Sequence, residues 1–186
     1  LFAYGKEDNQ KWIIVDMGVT FADDSIPGID LIMPDPGFII DKKDDLLGVV
    51  LTHAHEDHIG AVAHIWPELK CKLYATPFTA ALITEKFKEK KIDISSYLKI
   101  VPLNSKIKLG EFEIDFVSLT HSILEPNGLS IKTPLGTILH TGDWKIDPNP
   151  LIGNKIDEEK LKKIGDEGVS AMTVSYTHLT LPTKSR

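Results

Sequence analysis

Short apolar runs separated by turn residues recur along most of this chain, a pattern that predicts many strands and few long helices. One run alternates clearly, with Phe112, Ile114 and Phe116 on one face. Residues 134–136 (Pro-Leu-Gly) between two runs predict a hairpin turn. The predicted strands are residues 11–15, 46–51, 71–75, 98–103, 106–109, 112–119, 129–132, 137–140 and 168–172.

Three segments have helical spacing instead. A short helix is predicted at 58–66, closed by Pro67, and a longer one at 78–90, opened by Pro77 with Thr76 as a candidate cap. Residues 157–164 predict a short charged helix, whereas residues 19–37 carry loop signals around a brief apolar piece. Helices among strands and hairpins predict a layered α/β fold.

The length and composition of the chain indicate the number of domains and the cellular compartment. The 186 residues, 42% hydrophobic and 26% charged, suit one globular domain, and no apolar stretch approaches the roughly 18 residues of a membrane span. The single cysteine, Cys71, excludes an internal disulfide framework and fits a reducing, cytoplasmic location. Its strand-like surroundings favour a small core residue over a metal ligand.

The net charge of −6 argues against a nucleic-acid partner, since phosphate binding normally requires a basic face. Bound divalent cations would reverse the sign locally, so the charge weakens an RNA-binding hypothesis without excluding it. The only arginine is Arg186, so phosphate contacts elsewhere would have to come from lysines or the backbone.

The densest chemistry follows the strand at 46–51, where His53, His55, Asp57 and His58 fall within six positions. His53 and His55 are two apart at a strand end, so both imidazoles leave the chain on one side. Asp57 and His58 follow at the turn into the next element. Imidazole nitrogens and carboxylate oxygens are ligands that zinc prefers, and two adjacent metal pockets are predicted. The alternative is a solvated polar turn.

Two later strand ends repeat this arrangement. His121 follows the strand at 112–119, and Asp143 follows the strand at 137–140, with Gly142 allowing close backbone approach. Taken alone, His121 suits a core or turn histidine equally well, and Asp143 suits a turn residue. Asp16 ends the first strand, where an ordinary strand-end aspartate is the alternative interpretation.

Together these motifs resemble the ordered ligand set of the metallo-β-lactamase fold, and within it the ribonuclease J family of the β-CASP branch. The resemblance rests on Leu51-Thr-His-Ala-His-Glu-Asp-His-Ile-Gly-Ala61, on Leu119-Thr-His-Ser-Ile123, on Ile138-Leu-His-Thr-Gly-Asp-Trp-Lys-Ile-Asp147 and on Pro27-Gly-Ile-Asp-Leu-Ile-Met-Pro34. It covers residues 2–172 and implies an αββα sandwich that hydrolyses RNA, as an endonuclease, a 5′-exonuclease or both.

The resemblance also implies roles for single residues. The first zinc would be held by His53, His55 and His121, the second by Asp57 and His58, with Asp143 bridging both and Asp16 orienting a ligand histidine from behind. Asp57 and Asp143 would be the catalytic carboxylates. Two zinc ions would share a water that loses its proton near neutral pH and attacks phosphorus in line.

The chain departs from that family at its end. Ribonuclease J is longer, carries a β-CASP domain and places its last second-zinc histidine beyond that domain, so we expect an N-terminal part with an incomplete second site. Residues 1–172 are interpreted as the metallo-β-lactamase domain and residues 173–186, including His178, as a non-native tail without a site role. We therefore expect weak or no ribonuclease activity from this polypeptide, and homo-oligomers only of the longer parent protein.

Two other functions compete with this prediction. The same metals would serve a hydrolase of small esters, thioesters or lactones, which the acidic charge favours mildly. A non-catalytic metal-binding module is the third hypothesis, because the second pocket lacks one ligand. Assays with 5′-monophosphorylated RNA, a lactone and a thioester would separate the first two.

Overall fold

Two five-stranded sheets form the body of the protein in the computed structural model, which describes residues 1–22 and 25–175. The strands are β1 (Phe2–Tyr4), β2 (Lys11–Val15), β3 (Thr20–Phe21), β4 (Leu31–Ile32), β5 (Leu46–Val50), β6 (Leu73–Ala75), β7 (Leu98–Ile100), β8 (Lys106–Leu109), β9 (Phe112–Ser118), β10 (Asn127–Thr133), β11 (Gly136–His140) and β12 (Ala171–Thr173).

The two sheets differ in direction. The first has the order β1-β2-β5-β6-β7 and is parallel from β2 to β7, with β1 antiparallel at its edge. The second has the order β12-β11-β10-β9-β8 and is antiparallel except for the parallel pair β11 and β12. A small antiparallel pair, β3 with β4, occupies the segment predicted as loop.

The α-helices are α1 (Gly37–Ile40), α2 (Glu56–Ile59), α3 (Val62–Leu69), α4 (Pro77–Glu89) and α5 (Glu158–Glu167). Within the described residues, none of the helices has the length and apolar character that a membrane crossing requires.

Alternation along the central strands builds two separate cores. Ile13 of β2 and Val50 of β5 point to the second sheet and pack with Phe116 and Leu129. Their neighbours Ile14 and Val49 point the other way, into a core shared with α3 and α4. Successive side chains of a strand lie on opposite faces, so the first sheet is buried on both sides.

Helix α5 covers the outer face of the second sheet. Lys160 of α5 donates hydrogen bonds to the Phe116 carbonyl at 2.8 Å and forms an ion pair with Asp115 at 2.5 Å. Asp157 caps this helix by accepting from the Lys160 amide at 3.0 Å. The layers thus run helix, sheet, sheet, helix, which is the predicted αββα order.

Two local predictions were wrong. Pro67 does not close the helix at 58–66: a turn at Gly60 divides that segment into α2 and α3, and α3 continues through Pro67 to Leu69. The helix continues because Leu69 is buried in the core and the Lys70 amide bonds to the Trp66 carbonyl at 2.8 Å.

Thr76 occupies the predicted cap position of α4, but its side chain does not cap the helix. Glu125, in the loop between β9 and β10, caps the helix instead, since its Oε2 accepts from the Phe78 amide at 2.8 Å.

The predicted boundary at residue 172 falls inside a strand. Thr173, which we assigned to the tail, pairs with His140 as the last residue of β12. Residues 176–186, with His178, lie outside the described part of the chain, so their assignment as a non-native tail stays a prediction.

Candidate metal centre

Four chain segments bring polar side chains together at one edge of the sandwich. Asp16 directly follows β2, and the histidine-rich stretch follows the neighbouring strand β5 in the same sheet. His121 follows β9 and Asp143 follows β11, both in the second sheet. Ends of strands from both sheets therefore meet at this edge, as the sequence pattern predicted.

His53, His55 and His121 form the first group. One ring nitrogen from each lies within 4.8 Å of the other two, close enough for one metal ion. The Nε2 of His53 is 3.1 Å from the Nδ1 of His55, and their rings are roughly perpendicular. His53 is fully buried, whereas His55 and His121 are partly exposed, so the group has a closed inner side.

His53, His58 and Asp143 form a second group whose ligand atoms also lie within 4.8 Å of one another, and all three are buried. The Nε2 of His58 is 3.3 Å from Asp143 Oδ1 and 3.8 Å from Asp57 Oδ2. Asp57 stands outside both groups with 62% of its side chain exposed. The other carboxylate oxygen of Asp143 is 3.8 Å from His121 Nε2, so Asp143 lies between the two groups.

Asp16 holds this arrangement from behind. Its Oδ2 accepts from His58 Nδ1 and from the Thr52 hydroxyl, both at 2.7 Å, and its Oδ1 accepts from the Thr52 amide at 2.7 Å. Its backbone has φ of 58°, a left-handed conformation that aspartate tolerates better than most residues. Because Nδ1 of His58 is held by Asp16, its Nε2 faces Asp143.

The environment moves the histidine pKa values in opposite directions. Burial, with smaller contributions from His58, His55 and His121, lowers the pKa of His53 to about 2. Burial also disfavours a charged His58, yet the hydrogen bond to Asp16 and the nearby carboxylates raise its pKa overall. His53 is therefore neutral at physiological pH, the form in which an imidazole binds a metal.

A buried oxygen without a partner tests whether a cation fits here. Asp143 Oδ1 receives no hydrogen bond from any residue that the structure describes, although His58 Nε2 is only 3.3 Å away. In the neutral form of His58 the proton is on Nδ1, toward Asp16, so Nε2 then presents a lone pair. A lone carboxylate oxygen and a lone imidazole nitrogen facing each other are the donors that a cation such as Zn²⁺ requires.

Backbone contacts fix α2, which carries Asp57 and His58. The Met17 amide bonds to the His58 carbonyl at 2.7 Å, and the Val19 amide bonds to the Glu56 carbonyl at 3.0 Å. Gly18 lies between them, and a Cβ built there would be 1.6 Å from the Asp57 carbonyl oxygen. Only glycine lets the chain pass this close to α2.

Gly142 plays a similar part before Asp143. Its φ is 56°, and a Cβ there would lie 2.6 Å from the Asn127 carbonyl oxygen. The close backbone approach predicted at this glycine is confirmed.

Three residues at the site were missed by the sequence interpretation. Thr52 connects Asp16 to His53, with 2.9 Å between its hydroxyl and His53 Nδ1. Asn127 joins the sheets, since its side-chain nitrogen donates to the Thr52 carbonyl at 3.1 Å. His140 bonds to the Thr173 hydroxyl at 2.8 Å, and burial lowers its pKa. Only Thr52, directly before His53, could have been suspected from its position.

Cys71 and His64, whose side chains are also of metal-binding types, lie apart from both groups. Cys71 is buried in the core beside α3, where burial raises its pKa to about 12. His64 is exposed on α3, with its Nδ1 3.3 Å from Lys90 Nζ.

Comparison with known proteins gives one family and a set of relatives. The family described as the beta-lactamase superfamily domain matches residues 11–162. The chain is 42% identical to ribonuclease J from Sinorhizobium meliloti over 178 residues, which is 96% of this chain and 32% of that protein. It is 40% identical to ribonuclease J from Helicobacter pylori, covering 96% of this chain and 27% of that protein. The chain thus spans about a third or less of the length of these relatives.

A solved structure shares the fold at much lower identity. Zn²⁺-bound PqqB from Methylobacterium extorquens superposes with a TM-score of 0.60 at 12% identity, covering 94% of this chain and 59% of that one.

Proposed function

Because this chain belongs to the beta-lactamase superfamily domain family, we propose that its two polar groups hold two zinc ions and serve the hydrolysis of RNA phosphodiester bonds. The family match agrees with the αββα fold predicted from the sequence. The similarity to ribonuclease J supports RNA as the substrate and favours neither small esters nor a non-catalytic role.

The observation that carries the proposal is the position of Asp143 between the two histidine groups. Its oxygens face His58 and His121 at 3.3 and 3.8 Å, the arrangement expected of a carboxylate shared by two cations. His53, His55 and His121 would hold the first ion, and His58 with Asp57 the second. When bound, two zinc ions lower the pKa of a shared water and neutralise charge on phosphate oxygens.

The residues divide into a buried floor and an exposed rim. His53, His58 and Asp143 are buried, and hydrogen bonds to Thr52 and Asp16 fix the two histidine rings before any ion binds. Asp57 and the edges of His55 and His121 remain open to solvent. The rim is therefore the side on which a phosphodiester enters, and Asp57 would meet it first.

Metal binding is tested with one substitution and a matched control. Asp143→Asn should weaken zinc binding by more than the roughly 10–100-fold that loss of an outer partner costs. Asp147→Asn changes a carboxylate in the same loop that, among the described residues, accepts only from the Asn149 amide, and it should leave zinc affinity unchanged. Elemental analysis and competition with a chromophoric chelator measure both. Unchanged affinity in D143N would contradict the bridging role.

The substrate class is tested with the same variants. We expect slow, zinc-dependent cleavage of 5′-monophosphorylated RNA that D143N abolishes and D147N retains, with no turnover of a lactone or a thioester. Cleavage should be slow because the second pocket has only Asp57, His58 and Asp143 among the described residues. Faster hydrolysis of the lactone or thioester, dependent on Asp143, would refute RNA as the substrate.

A further inference from the structure

A continuous line of short hydrogen bonds runs from Asp16 through Thr52 to His53. The Thr52 hydroxyl is 2.7 Å from Asp16 Oδ2 and 2.9 Å from His53 Nδ1. Thr52 is fully buried, so no solvent competes for these contacts. Asp16 and His53 already have roles in the proposed metal site, whereas the family match assigns no role to Thr52.

Counting protons fixes the direction of each bond. A carboxylate only accepts, so the single hydroxyl proton of Thr52 points to Asp16. The hydroxyl oxygen must then accept at its other contact, and the proton between Thr52 and His53 belongs to Nδ1 of His53. The reverse arrangement would place two acceptor oxygens face to face at 2.7 Å.

This proton position determines the state of the other ring nitrogen of His53. With its proton on Nδ1, neutral His53 presents a bare lone pair at Nε2, the atom that lies 3.1 Å from His55 Nδ1. His53 belongs to both candidate ligand groups, so this lone pair is central to the whole cluster. Asp16 Oδ2 fixes His58 in the same tautomer by a direct bond.

The backbone of Thr52 is held as firmly as its side chain. Its amide donates to Asp16 Oδ1 at 2.7 Å, and its carbonyl accepts from the main-chain and side-chain nitrogens of Asn127 at 3.2 and 3.1 Å. The hydroxyl therefore has little freedom to turn away. We infer that Thr52 is a positioning residue that passes the orienting effect of Asp16 to His53 and keeps its Nε2 free for a metal.

The tautomer itself is the direct test. In zinc-free protein at pH 8, long-range ¹H–¹⁵N correlation spectra distinguish the protonated ring nitrogen from the bare one. Wild type and Thr52→Ser should show His53 protonated at Nδ1, whereas Thr52→Val, which lacks the acceptor, should shift His53 toward protonation at Nε2. A wild-type His53 protonated at Nε2 would overturn the inference, even where T52V fails to fold.

Zinc affinity gives the second readout. T52V should bind zinc about 10–100-fold more weakly than wild type, the usual cost of losing an outer hydrogen-bond partner, and T52S should recover most of that loss. Thr84→Val is the matched control, because the Thr84 hydroxyl donates to the Ala80 carbonyl within its own helix α4, away from the candidate site. Wild-type affinity in folded T52V, or an equal loss in T84V, would also overturn the inference.

The inference about Thr52 rests on the proposed metal site, but different results would refute the metal site and the role of Thr52. A wild-type protein that binds no zinc would refute the metal site, while the spectra would still report the tautomer of His53. Equal zinc affinities of wild type and T52V would support the metal site and refute the role of Thr52.

Discussion

At the scale of single residues, one carboxylate organises two histidines of different character. Asp16 binds His58 directly and His53 through Thr52, while the pKa of His58 is raised and that of His53 is lowered. The difference follows from distance, since a carboxylate in contact favours the charged imidazole and burial without such contact disfavours it. Both rings nevertheless direct Nε2 toward the same cluster.

Cys71 gives a prediction independent of any metal. Burial raises the pKa of its thiol to about 12 from an ordinary value near 9. Between these two pH values the unfolded thiol loses its proton and the folded one keeps it, so stability must fall as pH rises. Between pH 9 and 12, Cys71 should lower the free energy of unfolding by about 1.4 kcal/mol per pH unit, and below pH 9 it should contribute no pH dependence.

Urea unfolding of wild type and Cys71→Ala at pH 8.5 and 10.5 measures that slope. The free energy of unfolding of wild type should exceed that of C71A by less at pH 10.5 than at pH 8.5. Iodoacetamide at pH 8 should label Cys71 only after unfolding. Rapid labelling of the folded protein would contradict the burial of this thiol.

The candidate ligand residues could be selected from sequence because their residue types and spacing match what a metal site requires. His53, His55, His121 and Asp143 do converge. The exposure of Asp57 and the bridge through Thr52 were not predictable, because both depend on how the segments that follow β2 and β5 lie against each other. A threonine beside a histidine has no spacing signal of its own.

At the scale of elements, the path of the segment between β2 and β3 determines where α2 lies. Gly18→Ala should destabilise the protein by about 3 kcal/mol or more, because its Cβ would overlap the Asp57 carbonyl and force the two backbones apart. Zinc affinity should fall as well, since α2 carries His58.

Gly165→Ala is the matched control for that change. Gly165 lies exposed in α5 with no atom within 4 Å of an added Cβ, so alanine should stabilise the protein by about 0.5–1 kcal/mol through helix propensity. Urea unfolding of the zinc-free proteins measures both changes. Equal stability of G18A and wild type would mean that α2 can shift without cost.

Strand positions were largely predictable, because alternating apolar residues such as Phe112, Ile114 and Phe116 match the two-residue period of a buried sheet face. The end of α3 was not predictable, because the packing of Leu69 in the core outweighed the tendency of Pro67 to end a helix. The small pair β3 and β4 was also missed, since two-residue strands leave no periodic signal.

At the scale of the whole molecule, the site depends on the docking of two sheets, which pack against each other through the core that contains Ile13 and Phe116. The first sheet supplies Asp16 and residues 53–58, and the second supplies His121 and Asp143. Hydrogen bonds that cross between the two halves at this edge include Asn127 to Thr52 and Glu125 to the start of α4. The layered fold was predictable from the order of elements, whereas these crossing contacts were not, because Asn127 stands in an ordinary strand position and Glu125 in an ordinary loop position.

The bond between Asn127 and Thr52 has a consequence for the time course of folding. Residues 53–58 are close in sequence, but His121 and Asp143 are more than 60 residues away, so the complete ligand set exists only once the sheets have docked. An ion that binds only this late arrangement stabilises the native state and not the barrier before it. Zinc should therefore slow unfolding in stopped-flow urea jumps and leave the refolding rate unchanged. Faster refolding with zinc would show instead that residues 53–58 capture the ion first and that the second sheet assembles around it.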